Sequence, residues 1–198
     1  MGAIFQSLGR TLAAGVVILL VVMGIAGTFT SGQLGTHAWW AFFMRWLHVL
    51  SGVMWIGLLW YFNFVQTPSM PKIPDEQKPA VSKVIAPAAL FWFRWGAMST
   101  IVTGLLLAWM NGYIVQALSI QKPFHAIGTG MWFGIIMWFN VWFIIWPNQK
   151  KALGIVDATA DEKKKAARLA GLTSRVNTLL SIPMLYCMAA ASHYAFTS

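Results

Sequence analysis

Three of the four histidines, His48, His125 and His193, fall at the same end of three separate apolar runs. Imidazole titrates near neutrality, ligates metals readily, and is costly to place in hydrocarbon without a partner or a task. Three of them arriving at one membrane face predict a shared site, most simply a haem or metal centre. The neighbours of His48 add to this. Arg45 lies one turn outward on the same helical face, and Gly52 and Trp55 follow on that face one and two turns inward. A porphyrin needs such a surface: a histidine for the iron, a small residue to let the flat ring approach, an aromatic to pack on it, and an arginine toward water to pair with the propionates. His193 has Ala189 and Ala190 one turn inward and Tyr186 a further turn; His125 is followed on its face by Gly128, Thr129 and Trp132. The expected axial pair is His48 and His193, with His125 as the alternative ligand or as a propionate and proton partner.

The elements that must position these groups follow from composition. Of 198 residues, 58% are hydrophobic and only 10% charged, against about a quarter charged in a soluble domain. The apolar runs are near the length of membrane-crossing helices and lack the alternation of barrel strands. We therefore expect an all-α integral membrane protein, a single transmembrane domain over residues 1–198. Its five spans are roughly Thr11 to Phe29, Trp39 to Val65, Pro87 to Met110, Phe124 to Trp146 and Val176 to Phe196. Spans two to five are expected to form a four-helix bundle with span one packed outside. Arg10 and the small residues flanking span one resemble a signal peptide, but we read it as a retained helix. Pro123 and Pro147 punctuate span four, and Pro183 predicts a kink in span five.

Charge orients the spans. Arg10, Lys72, Lys78, Lys83, Lys150, Lys151, Lys163, Lys164, Lys165, Arg168 and Arg175 fall on one side of this arrangement, and Lys122 alone on the other. The positive-inside rule then places the N-terminus in the cytoplasm and the C-terminus outside. The net charge of +9 is accounted for by this asymmetry and by attraction to anionic lipid rather than by nucleic-acid binding. Asp161-Glu162-Lys163-Lys164-Lys165 reads as a short surface helix. At about 1.5 Å per residue, His48 lies ~27 Å above Gln66, and His193 ~27 Å above Arg175. Against a hydrocarbon core of about 30 Å, both sit near the outer boundary. His37 falls in the outer loop.

Other chemistry is less specific. A single cysteine, Cys187, excludes an internal disulfide, a cysteine zinc site or a C-x-x-C-H haem attachment. Thioethers favour Cu(I), so copper is the alternative metal, with Met44, Met110, Met131 and Met188 near the histidine layer. Arg94, Asn63 and Asn140 lie within spans and are expected to face the bundle or snorkel. They serve either structural hydrogen bonding or a quinone, anion or proton contact.

Arg45-Trp46-Leu47-His48-Val49-Leu50-Ser51-Gly52-Val53-Met54-Trp55-Ile56-Gly57, with the Leu-Leu-Trp-Tyr-Phe-Asn-Phe-Val-Gln that follows, resembles the membrane domain of the bacterial cytochrome c-linked urate oxidase family. Phe-Arg-Trp-Gly at 93–96 and Trp-Phe-Asn-Val-Trp-Phe-Ile-Ile-Trp-Pro-Asn-Gln at 138–149 fit the same family. The resemblance covers most of residues 39–195. The W-L-H-x-x-(small)-(small)-x-x-W-x-G core is also similar to small haem-binding or copper-resistance membrane proteins, which supports His48 as a ligand. Urate oxidases of the family are longer and carry a C-terminal c-type cytochrome domain. No C-x-x-C-H occurs here, so the resemblance implies a separate cytochrome as acceptor. The expected function is a haem b-type redox subunit passing electrons to or from a periplasmic c-type cytochrome, among lipids and other membrane subunits. The alternative is a cofactor-free accessory subunit of a larger membrane complex. A urate-oxidising enzyme with a detached cytochrome is a third reading.

Overall fold

A computed structural model describes residues 2–193. No strand occurs among them; besides single turns at Gly2–Phe5 and Gln33–Gly35, the helices in chain order are α1 (Leu8–Ile25), α2 (His37–Lys72), α3 (Lys78–Met110), the short α4 (Ile114–Leu118), α5 (His125–Ala152) and α6 (Ala160–His193). Four of them, α1, α2, α3 and α5, are long and apolar enough to cross a membrane. Helix α6 carries the fifth apolar run in its second half, and residues 194–196 of that expected span lie outside the described residues.

The chain divides into two compact units, Met1–Phe43 and Met44–Ser198. In the first, α1 has no buried residue. A helix apolar all round and exposed all round is one that faces lipid. At the start of α2, Trp39 stacks on Phe43 with ring centroids 5.3 Å apart and meets Trp40 edge-on at 4.9 Å.

In the second unit one apolar core draws on four helices. Trp55, Ile56 and Leu59 come from α2, Leu90, Phe93 and Ala97 from α3, Met137, Val141 and Ile145 from α5, and Met184 from α6. Polar ties reinforce it where water is excluded. Asn140 Nδ2 donates to Asn177 Oδ1 at 2.8 Å, and Asn177 Nδ2 donates to the Met137 carbonyl at 2.9 Å. Trp60 Nε1 donates to Ser181 Oγ at 3.0 Å, and Asn63 Nδ2 to Ser174 Oγ at 2.8 Å. The outward faces are apolar, with Val53, Phe64, Val84, Leu179 and Ile182 all exposed, as a hydrocarbon solvent requires.

The helices run further than the sequence suggests, and the reason is local. Three of them contain a wide π turn: Tyr61–Gln66 in α2, Val81–Ile85 in α3 and Asn140–Ile145 in α5. Each is followed two residues later by a proline, Pro68, Pro87 and Pro147. Proline lacks an N–H and crowds the carbonyl of the preceding turn. A wide turn absorbs that conflict, so the helix passes through Pro147 instead of stopping there. Pro183 likewise lies inside a continuous α6. The acidic-basic stretch at 161–165 is the opening of α6 and not a separate helix. A reciprocal cap begins it, with Thr159 N and Oγ1 donating to Glu162 Oε2 at 2.8 and 2.9 Å and Glu162 N donating to Thr159 Oγ1 at 3.3 Å. No proline separates Lys165 from Val176, and the one glycine between them, Gly171, is carried within the helix.

Candidate functional site

His48 is half-buried on α2, two turns before Trp55. Its Nδ1 donates to the Thr100 carbonyl on α3 at 2.9 Å. A carbonyl only accepts, so Nδ1 carries the proton and the neutral ring keeps a lone pair on Nε2. This is the tautomer in which a histidine ligates metal through Nε2, with the other nitrogen anchored to the backbone. Thr103 Oγ1 lies 3.3 Å from the same Nδ1 and donates to the Ser99 carbonyl at 2.6 Å.

Gly104 makes this seating possible. A Cβ there would stand 2.8 Å from His48 Cε1 and 3.0 Å from Nδ1. Only a glycine leaves the imidazole room to lie against the turn whose carbonyl it binds.

His48 lines a cavity of about 450 Å³ in the second unit, and His193, Arg45 and Trp55 line it too. That volume is within the range of small-molecule and cofactor sites. Of the six residues expected at a cofactor, these four share the cavity. Gly52 is not in its lining; it faces α3, where an added Cβ would meet Thr100 Cγ2 at 4.0 Å. His125 also lies outside the lining, half-buried at the first turn of α5, where its carbonyl accepts from Thr129 Oγ1 at 2.8 Å. His37 opens α2 and is exposed. Among the described residues no three His, Cys, Asp or Glu gather as a metal-binding group. A haem needs only an axial pair, and His48 and His193 remain together on one cavity.

Several lining groups were not foreseen. Tyr113 reaches the cavity because α3 ends in a reversal. Gly112, with φ of 74°, donates to the Trp109 carbonyl at 2.9 Å, and Tyr113 N donates to the Ala108 carbonyl at 3.1 Å. This is the left-handed helix stop that glycine favours. Burial pushes the Tyr113 phenol up, and the Arg45 guanidinium pulls it partly back. Tyr113 then stacks on Phe124, centroids 5.1 Å apart. Of the four methionines expected near the histidine layer, Met131 and Met188 line the wall while Met44 and Met110 do not, and Met184 is an added thioether. Trp55 is 1% exposed, and its Nε1 is buried without a hydrogen-bond partner. An orphaned buried donor beside a cavity calls for an acceptor within it.

The donor set therefore fits a haem: a fixed-tautomer imidazole, a second histidine, a cation for carboxylates and an aromatic wall. It fits copper through the same histidines and the three thioethers.

No curated protein and no solved structure matches the chain. Residues 108–198 match the family model described as Urate oxidase N-terminal. The matched stretch starts in the last turn of α3 and takes in α4, α5 and α6, with Tyr113, His125 and His193. It includes the aromatic run at 138–149, whereas His48, Arg45 and Trp55 lie ahead of it. Over residues 108–198, somewhat less than half of its length, the chain is thus similar to the urate oxidase N-terminal type.

Proposed function

We propose that the protein is a haem b-type redox subunit of a bacterial inner membrane, exchanging electrons with a periplasmic c-type cytochrome. In this reading five helices cross the bilayer, and α2, α3, α5 and α6 form a four-helix bundle around the shared core. The N-terminus lies in the cytoplasm and the histidine end faces the periplasm, as the basic residues at the other end argue. The observation that carries the reading is the meeting of His48, held in its ligating tautomer by the Thr100 carbonyl, with His193 on one cavity.

A bound haem would supply reversible one-electron chemistry, tuned by its ligands and by the polarity around it. The chain's own residues do the rest. His48 and His193 would hold the iron, Arg45 would pair with the carboxylates of the porphyrin, and Trp55 Nε1 would offer a buried donor. Met131, Met184 and Phe124 keep water from the cavity. Tyr113, neutral at working pH, provides a hydroxyl close to Arg45.

A visible absorption spectrum of the purified protein tests this. The expected result is a Soret band that shifts on dithionite and disappears in His48→Ala. Absence of that band in a protein at full occupancy in its native complex would support the cofactor-free accessory subunit instead. The family match at 108–198 favours one further reading, a urate-oxidising enzyme working with a detached cytochrome. Urate-dependent reduction of added cytochrome c separates it from a subunit that only relays electrons.

A further inference from the structure

A second cavity, of about 550 Å³, lies at the opposite end of the same unit and shares no lining residue with the first. Its floor is apolar, formed by Phe62, Leu90, Phe93 and Ile145. Its α6 side carries Arg168 and Arg175, seven residues apart and so on one helical face. No acid lines it, and no carboxylate among the described residues pairs with either arginine. Gln66 Oε1, on the α2 side, is buried without a hydrogen-bond partner.

The three wide turns meet here. Phe62, Asn63 and Gln66 come from the first, Val81 and Ser82 from the second and Ile145 from the third. Such turns are rare in helices and concentrate at functional sites. Here they open the space between α2, α3, α5 and α6 at the depth where the helices carry their basic residues.

We propose that this cavity is a binding site for an anionic phospholipid, with the phosphate between Arg168 and Arg175 and hydrocarbon on the Phe62, Leu90, Phe93 and Ile145 floor. Charge selects the occupant. Two guanidiniums without counterions seek an anion, and arginine matches phosphate oxygens in a two-pronged fashion. The apolar floor gives no foothold to a bare ion but suits an acyl chain. Basic pockets between membrane helices at the cytoplasmic face have this chemistry. The assignment does not rest on the haem reading.

Native mass spectrometry of the full chain in detergent tests it, titrating phosphatidylglycerol against phosphatidylcholine of the same acyl length. Phosphatidylglycerol is expected to bind preferentially. In Arg168→Gln/Arg175→Gln its affinity is expected to fall about thirtyfold, the worth of two basic groups near an anionic lipid surface. Gly171→Leu supplies a variant that folds. Gly171 lines the cavity, a Cβ there meets nothing within 4 Å, and leucine is the better helix former. It is expected to lower phosphatidylglycerol occupancy without lowering the unfolding temperature. Equal binding of the two lipids, or full binding in both variants, overturns the proposal. Displacement of the lipid by millimolar inorganic phosphate also overturns it, because the cavity would then read the ion and not the lipid.

Discussion

At the histidine end of the Met44–Ser198 unit, polar groups are held in place by the backbone: His48 by the Thr100 carbonyl, Tyr113 by the reversal at Gly112. At the arginine end, the charged groups stand on the first half of α6 with no partner carboxylate among the described residues, over a floor opened by widened helical turns. The same four helices build both. A preorganised imidazole in a largely dry wall is suited to holding one group in one geometry. Long, exposed guanidiniums at a membrane surface suit a ligand that comes and goes. The difference teaches that the site for a fixed group is recognised by its supporting hydrogen bonds, and the site for an exchangeable one by its unneutralised charge.

The sharpest break of this comparison is His48→Ala. It is expected to abolish the Soret band and to leave phosphatidylglycerol binding at the far cavity unchanged; loss of both would mean the two ends are one folding unit and not two sites. Next is Gly104→Ala. The new methyl collides with the imidazole at 2.8–3.0 Å, and overpacking of this kind costs about 1–3 kcal/mol. A lowered unfolding temperature with a shifted or missing Soret band is the expected pair of readings. An unaltered spectrum would show that the ring does not need its seat.

A smaller effect is expected between the two ends. Asn177 is fully buried and bridges Asn140 to the Met137 carbonyl. Asn177→Ala leaves both without that partner and is expected to cost about 1 kcal/mol, read as a lower unfolding temperature with the spectrum intact. The smallest effect concerns Glu162. Its hydrogen bonds from Thr159, first the backbone N–H and then the hydroxyl, hold its carboxyl below the usual value, with Lys151 adding to the shift. The cap is therefore fully effective above the unfolded-state pKa and is lost as pH falls through the lower folded-state value. Protection of the amides at residues 160–164, taken relative to their intrinsic exchange at each pH, is expected to fall under acid in the wild type. In Thr159→Ala it is expected to be low already, with little further dependence on pH.

Much of the fold was legible because hydrocarbon imposes a simple rule: long apolar runs must be helices. The runs around residues 11–29, 39–65, 87–110, 124–146 and 176–196 each coincide with a helix over most of their described length, although α1 stops at Ile25, ahead of the expected Phe29. Their ends were misjudged where proline was taken as a stop. Pro147 is tolerated because Asn140–Ile145 has already widened, a cooperation between neighbours that residue types alone do not display. The spacing of Arg45, His48 and Trp55 located one wall of the histidine cavity, since helical periodicity is a local property. Gly104, Thr100 and Tyr113 were missed because their roles come from α3 and its reversal, more than fifty residues away from His48. Gly104 left a faint sign as one of two glycines, with Gly96, in an apolar helix. Gly52, in register with His48, went the other way and packs on α3.

Each wide turn holds one residue more than an ordinary turn. The side chains beyond it are swung by about 100° from the direction an unbroken α-helix would give them. One rod can thus aim its first half at one neighbour and its second half at another without bending. In α5 the step falls between Met131, which walls the histidine cavity, and Gln149, which borders the arginine-lined one. A single helix thereby turns a separately chosen face to each of two cavities.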